Sequence, residues 1–418
     1  MDLPEQVIFV IERIHAAGGQ AWLVGGSVRD MLLGRPVQDY DIATTLRPDS
    51  IEGLFPDLRP YTAGKRFGTV SVLINGTTIE ITTLRGEDSY TDSRHPDRVY
   101  FISDIESDLA RRDFTINAIA YDPLAQYGIV DPFMGRHDLA ARVIRTVGDP
   151  RERLEEDPLR MLRAIRLAAQ LGFDIDKCTW QAIKRLHPLL DKVAFERIRD
   201  ELSKLLLSPC LAAGFDHLTS TGAINMIFPR PGRADLSPGQ AGIISGIDPV
   251  LTVRLAALCF YLYPGKSDTE IMDMLKSLRF SRAEAKDAAS LIRGFKALLT
   301  YDPEPYNIRK LLSIIGQKDM SSLIVWYAEA ARAHNSRRMS DRYSKIRQMY
   351  EEILQNRDPV SLKDLAITGR DIINAGIGKH KPEEVGEALR TAHDWVLHNP
   401  KLNSRDKLLE ELLRIYSH

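Results

Sequence analysis

The sequence predicts an α+β fold, a small mixed sheet followed by a long, almost wholly helical remainder. Three observations predict it. Between residue 21 and about 137, short β-branched and apolar runs alternate with glycine-rich turns. From about 138 onward, apolar residues recur three and four apart, as in 154–171, 182–190, 195–207 and many later segments. The 418 residues are 44% hydrophobic and 27% charged, which is globular composition with room for roughly two to four domains.

Taken in order, MDLPEQVIFVIERIHAAGG reads as an amphipathic helix that starts acidic. It has neither the basic n-region of a signal peptide nor the Arg-rich character of a transit peptide. AWLVGG is a short strand ending in Gly25-Gly26, and SVRDMLLG a short helix stopped by Gly34. DYDIATT is the next strand. GTVSVLI and TTIEITTL are two more, joined by Asn75-Gly76, a strong hairpin signal. Residues 85–99, RGEDSYTDSRHPDRV, are polar and aperiodic and predict one long loop. Pro and Gly clusters at 229–239 and 302–305 mark linkers or sharp turns. Cys178, Cys210 and Cys259 lie far apart without a CxxC pair, so neither a disulfide framework nor a zinc site is expected. The longest apolar run, 255–263, falls well short of the ~20 residues that span a bilayer. A cytoplasmic protein without a membrane partner is the expectation.

Asp39 and Asp41 are one residue apart on a predicted strand, and a period of two puts both on one face. Paired carboxylates repel unless a cation sits between them, and their hard oxygens suit Mg²⁺. Upstream lie Gly25, Gly26 and Arg29: a turn that lets backbone approach phosphate oxygens, a helix start, and a guanidinium. Together these suggest a nucleoside triphosphate plus metal. Glu80, on the hairpin strand, is either a third carboxylate of the site or a solvent-facing strand residue.

GGSVRD, then DYD, RRDFTINAIA at 111–120, DPFMG at 131–135, EEDPLRMLRAIR at 155–166 and ERIRDELSKLLLSP at 196–209 follow one another over about 190 residues. This series resembles the class II tRNA nucleotidyltransferases, the CCA-adding enzymes and their poly(A) polymerase relatives of the DNA polymerase beta-like superfamily. ITGRDIINAG at 367–376 resembles a C-terminal segment of the same family. The resemblance implies a nucleotidyltransferase head at 1–137, a helical neck for base recognition at 138–210, and a tRNA-binding body and tail at 211–418. It implies that Asp39 and Asp41 hold two Mg²⁺ ions, and that Gly25, Gly26, Arg29 and Arg112, with Arg111 beside them, contact the triphosphate. Asp113 would read the ribose with support from Asn117. Asp157 and Arg160, backed by Arg163 and Arg166, would select the base. The implied partners are the tRNA 3′ end, CTP and ATP, with no DNA; the oligomeric state stays open.

The chemistry of the base-reading pair stands by itself. On a helix, i and i+3 share a face, so Asp157 would offer acceptors beside the donors of Arg160. Cytosine and adenine both present an amino donor next to a ring-nitrogen acceptor, which that pair complements. Uracil and guanine present a carbonyl beside a ring N–H, which it opposes. The alternative is a surface ion pair.

The polar loop, with Tyr90, Asp92, Arg94 and His95, resembles the segment this family uses to switch to the terminal adenosine. A CC-adding subtype is therefore disfavoured, while an A-adding enzyme stays open. A poly(A) polymerase ranks below both, and an inactive RNA-binding protein or a small-molecule nucleotidyltransferase lower still. Charge divides along the chain. The total is −1, with 27 basic and 32 acidic residues in 1–210 but 29 and 25 in 211–418. Residues 276–347 hold 15 basic and 7 acidic residues. That segment, with Arg337, Arg338, Arg342 and Lys345, is the expected grip on tRNA phosphates. Lys379 and Lys381, in a glycine loop before a helix, are further candidates.

Overall fold

Among the described residues between 21 and 130, eight strands form: β1 Ala21–Val24, β2 Tyr40–Thr44, β3 Thr69–Ile74, β4 Thr77–Thr83, β5 Arg85–Glu87, β6 Val99–Phe101, β7 Ala120–Tyr121 and β8 Ile129–Val130. Six of them form a sheet of order β3-β4-β2-β1-β7-β8. β2 and β4 run parallel and every other neighbouring pair antiparallel, so the sheet is mixed as the sequence predicts. The computed structural model describes residues 3–37, 39–87, 99–125, 128–228, 236–378 and 381–416. Its two compact units are Met1–Ala234 and Asp235–His418.

The hairpin between β3 and β4 turns on Asn75 and Gly76, both at positive φ (49° and 82°). That geometry matches the twist of the strands it joins. Trp22, Val24, Ala43 and Ala120 project to one face of the sheet and pack with Ile105 and Leu109. Helix α1 (Glu5–Ala16) buries Val7, Val10, Ile11 and Ile14 against β1 and β2. One expectation is corrected: 85–99 is not a single loop, because its ends pair as β5 and β6. Gly86 permits this, since a Cβ there would stand 2.4 Å from the Tyr100 ring. The stretch with Tyr90, Asp92, Arg94 and His95 lies outside the described residues.

Further helices of this unit are α2 Gly26–Leu32, α3 Pro48–Leu54, α4 Ile105–Ala110, α5 Gly135–Ala141, α6 Pro150–Glu156, α7 Leu159–Leu171, α8 Lys177–Leu186, α9 Phe195–Leu206, α10 Leu211–Thr221 and α11 Ala223–Ile227. The helix expected across 154–171 breaks into α6 and α7 at Asp157-Pro158. Asp157 is extended (φ −139°, ψ 97°). A residue before proline is driven out of the helical region by the ring's Cδ, which sets the break. α8 starts earlier than the periodicity suggests, because the Asp176 side chain accepts the N–H groups of Cys178 and Thr179. α7 buries Met161, Ala164, Ile165, Ala168 and Ala169 and packs on α9 and α10.

In the second unit the regular elements among the described residues are all helices. Phe295 and Trp326 stack 3.8 Å apart at its centre, with Phe260 edge-on to both. A smaller cluster joins Ile367, Ile372, Ala388, Val396 and Leu412. Among the described residues, no helix is long and apolar enough to cross a membrane.

Candidate active site

β1 delivers the chain to Gly25, whose backbone (φ 72°, ψ −137°) is one that side chains rarely allow. A Cβ at Gly25 would stand 3.1 Å from Arg112 Nη1 and 3.6 Å from Asp41 Oδ2. The glycine is thus what lets backbone, guanidinium and carboxylate meet. Gly26 starts α2, and a cleft of about 440 Å³ opens there, lined by Gly26, Ser27, Arg29, Asp30, Asp39 and Asp41 among others. Asp39 is exposed just before β2 begins, and Asp41 lies within it. Tyr40, between them, takes the opposite face by strand alternation.

Asp41 is paired in register with Glu80 of β4. Burial raises the pKa of Asp41, and the negative charges of Glu80 and Asp39 raise it further, against an opposing pull from Arg112. An acid cluster held at this cost is relieved by a cation. The two aspartates fit Mg²⁺, which takes one or two carboxylates and completes its shell with water and phosphate oxygens. Glu80 is exposed. Among the described residues, no three His, Cys, Asp or Glu side chains converge to hold a metal. Glu80 acts on Asp41 through its charge.

Arg111 and Arg112 both pair with Asp108, at 2.7 and 3.1 Å. Burial pushes Asp108 up, but the two guanidinium groups outweigh it and hold the carboxyl below its usual range. Arg112 Nε is buried with no hydrogen-bond partner among the described residues, an orphan that an anion would satisfy.

From this pocket a continuous chain of ion pairs and hydrogen bonds runs through to α9. Arg29 forks onto Asp30 and donates from Nη1 to Asn117 Oδ1 at 2.9 Å. Asn117 Nδ2 donates to Asp113 Oδ1 at 3.0 Å. Arg163 donates to Asp113 Oδ2 from Nε and Nη2, at 2.9 and 2.6 Å. Glu201 takes Arg166 Nε at 2.5 Å and lies 3.8 Å from Arg163 Nη1. Burial would raise Asp113, yet Arg163, Asn117 and the Phe114 N–H bring its pKa down to about 2. These four donors fill the roughly four acceptor positions of a carboxylate. A ribose hydroxyl reaches Asp113 only by displacing one of them.

The expectation that Asp157 lies within a helix is corrected: it stands in the extended link before α7, with Arg160 in the first turn of that helix and the Arg160 N–H donating to Asp157 O at 3.0 Å. Asp157 receives a fork from Arg197 of α9, at 3.1 and 2.8 Å, and caps Leu159 N at 3.2 Å. Arg160 is buried and donates to Glu156 at 2.7 Å, Arg153 O at 2.9 Å and Arg111 O at 3.4 Å. Behind the pair, Arg163 holds Asp113 and feels the charge of Asp157, while Arg166 holds Glu201.

Four residues that sequence reasoning missed therefore shape the site: Asp108, Glu156, Arg197 and Glu201. The available signal was the spacing of four between Arg197 and Glu201 on an amphipathic helix, which reads as an internal i, i+4 pair. In the structure each partner turns to α7 or its N-terminal flank.

In the second unit, Arg337 and Arg338 are exposed in the first turn of the helix Arg337–Gln355, and Lys345 is exposed farther along it. Arg342 differs: its guanidinium donates to Leu298 O at 3.0 Å and to Tyr301 O, closing the end of the helix Arg282–Thr300. It is a helix cap here rather than a free cation. Lys381 pairs with Glu384 at 3.2 Å, and Lys379 lies outside the described residues.

Residues 21–145 match the model of the poly A polymerase head domain, and 172–232 that of a probable RNA and SrmB-binding site of polymerase A. The chain is 35% identical to the CCA-adding enzyme of Lactobacillus helveticus over 96% of both chains. It is 33% identical to that of Enterococcus faecalis, over 96% of this chain and 93% of the relative. Its fold superposes on the crystal structure of the Bacillus stearothermophilus CCA-adding enzyme in complex with CTP with a TM-score of 0.78. That match has 30% identity and covers 99% of this chain and 98% of the other.

Proposed function

The chain belongs to the CCA-adding enzymes, whose head is that of the poly(A) polymerase family, and from that premise we infer that it adds C and A, without a nucleic-acid template, to the 3′ end of tRNA, using CTP and ATP and releasing pyrophosphate. The observation that carries this reading is the cleft where Asp39, Asp41 and the start of α2 meet, with Arg112 held against Gly25. Residues 1–137 form the catalytic head, 138–210 the neck and 211–418 the tRNA-binding body and tail. Three free cysteines agree with a cytoplasmic enzyme.

In the reaction, the tRNA 3′-hydroxyl attacks the α-phosphate in line with the departing pyrophosphate. Asp39 and Asp41 would hold two Mg²⁺ ions, which would lower the pKa of the attacking hydroxyl and neutralise the leaving group. The backbone at Gly25 and Gly26 and the guanidinium of Arg112 bind the triphosphate, supported by Arg29 and by Arg111 on Asp108. Asp113, held by Arg163 and Asn117, orders the floor beneath the ribose. Asp157 accepts from the amino group of cytosine or adenine, and Arg160 donates to the neighbouring ring nitrogen. The wrong bases leave buried groups unpaired at roughly 1–3 kcal/mol each. Arg337, Arg338 and Lys345, with Lys381, contact tRNA phosphates.

The test offers purified protein tRNAs truncated before each of the three terminal nucleotides, with CTP and ATP given separately. Labelled C entering the shortest tRNA, in wild type and not in Asp41→Ala, is the expected result. Incorporation no faster than Asp41→Ala would sink the enzyme reading. Incorporation of A alone, and only into the longest tRNA, would replace it with an A-adding enzyme.

A further inference from the structure

The two residues expected to read the base have different supports. Arg160 is anchored by Glu156 and by two carbonyls, which leaves two of its five N–H donors without a partner among the described residues. Asp157 stands in an extended link between two helices, where no i, i+4 neighbour restrains it. Besides the Leu159 N–H, what restrains it is a residue 40 positions along the chain, Arg197 of α9.

The orientation of this carboxylate matters more than its presence. A carboxylate accepts hydrogen bonds only, and every base edge offers it something to accept. Cytosine and adenine offer an amino hydrogen. Uracil N3 and guanine N1 offer a ring hydrogen one position along the edge. A carboxylate free to swing would pair with either kind, so discrimination requires it to be fixed. The Arg197 fork and the Leu159 N–H take three of its roughly four acceptor positions, which leaves about one to present. A planar, bidentate guanidinium fixes both the position and the plane of its partner, which a lysine ammonium cannot do. α9 is itself locked by buried Ile198, Leu202 and Leu205, and one turn on by Glu201 bound to Arg166.

We propose that Arg197 is a specificity-determining positioning residue: its fork on Asp157 fixes the single acceptor shown to the incoming base and so sets the preference for C and A over U and G. This rests on the reading of Asp157 as the acceptor for the base.

The experiment measures kcat/KM for CTP, ATP, UTP and GTP on the appropriate truncated tRNAs, for wild type, Arg197→Ala, Arg197→Lys and Asp157→Ala. Arg197→Ala is expected to lower the CTP-to-UTP and ATP-to-GTP ratios tenfold or more. Arg197→Lys is expected to fall between, because it keeps the charge and loses the fork. A purely structural role would lower all four values by one common factor and leave the ratios alone; that result overturns the proposal. Unchanged values in Arg197→Ala overturn it as well. If Arg197→Ala does not fold, Arg197→Lys decides, and ratios equal to wild type in that variant overturn it. Ratios that fall in Asp157→Ala but hold in the Arg197 variants refute this proposal alone. Ratios that hold in Asp157→Ala refute the reading of Asp157 beneath it.

Discussion

Asp113 is the joint between the pocket at the start of α2 and the helices α7 and α9, and its charge is open to measurement. Replacing it with Asn keeps the shape and removes the anion. The carboxyl is buried and titrates at about 2 rather than 3.8, chiefly because Arg163 overcomes the cost of burial. At about 1.4 kcal/mol per pKa unit, that shift corresponds to roughly 2.5 kcal/mol of stability at neutral pH. Orphaning a fully buried partner costs about 3–5 kcal/mol, but the Arg163 side chain is 36% exposed. Water therefore takes over part of the loss, and Asp113→Asn should cost about 2–3 kcal/mol.

The pH dependence separates charge from packing. The folded pKa is depressed, so the stabilisation is complete above the unfolded value and is lost as pH falls through the folded one. The gap between wild type and Asp113→Asn should hold from pH 7 to about 5 and narrow by about 1 kcal/mol by pH 3. Urea titrations read by hydrogen exchange in peptides of α7 and α9 confine the signal to this part of the chain. A gap as wide at pH 3 as at pH 7 would refute the electrostatic account. A neutral-pH gap under 0.5 kcal/mol, against the ~2–3 expected, would refute the joint itself.

Other positions yield to similar arguments. Gly25→Ala places a methyl 3.1 Å from Arg112 Nη1 in a backbone conformation that disfavours it, a strain of about 1–3 kcal/mol. Nucleotide affinity by calorimetry should fall tenfold or more, and an unchanged affinity would remove Gly25 from the site. Glu80→Gln removes a charge that raises Asp41, so the metal-free protein should melt higher while the rise in Tm with added Mg²⁺ shrinks. Asp41→Asn should abolish that rise, and a full rise in Asp41→Asn would exclude Asp41 as a ligand. Charge reversal of Arg337 and Arg338 should raise the KM for tRNA and flatten its salt dependence by about one logarithmic slope unit per lost phosphate contact. Arg342→Ala should instead lower Tm and leave the salt slope alone, because its guanidinium closes a helix end; a flattened slope in that variant would return it to the tRNA grip.

Much of this architecture was legible in the chain because the responsible forces act locally. Asn75-Gly76 dictates its hairpin, Gly34 its helix stop, and strand alternation puts Asp39 and Asp41 to one side with Tyr40 opposite. The pairings among charges were less legible, since they depend on which helix lies beside which. Arg197 and Glu201 are four apart and read as partners, yet packing of α9 on α7 gives each a better one. Arg342 has the composition of a nucleic-acid contact, and only the approach of another helix end makes it a cap. The pairing of β5 with β6 was hidden by polarity: three-residue strands carry too little pattern to register.

The break at Asp157 follows from its place before Pro158, and the reason bears on function. Pro158 is tolerated in a first helical turn, but the same ring forbids the residue before it from being helical. The constraint that denies Asp157 a helical neighbour also turns its carboxylate toward α9, where Arg197 meets it. Pro158→Ala removes the constraint while leaving every charged group in place. With α6 and α7 free to merge, Asp157 rotates by part of a helical turn and loses the fork, so the ratio of CTP to UTP use should fall as it does in Arg197→Ala. Stability should change little, since an alanine at that position favours the helix. If the Pro158→Ala protein keeps its full discrimination, then the extended link is incidental, and the site selects its base by contacts that do not depend on how Asp157 is held.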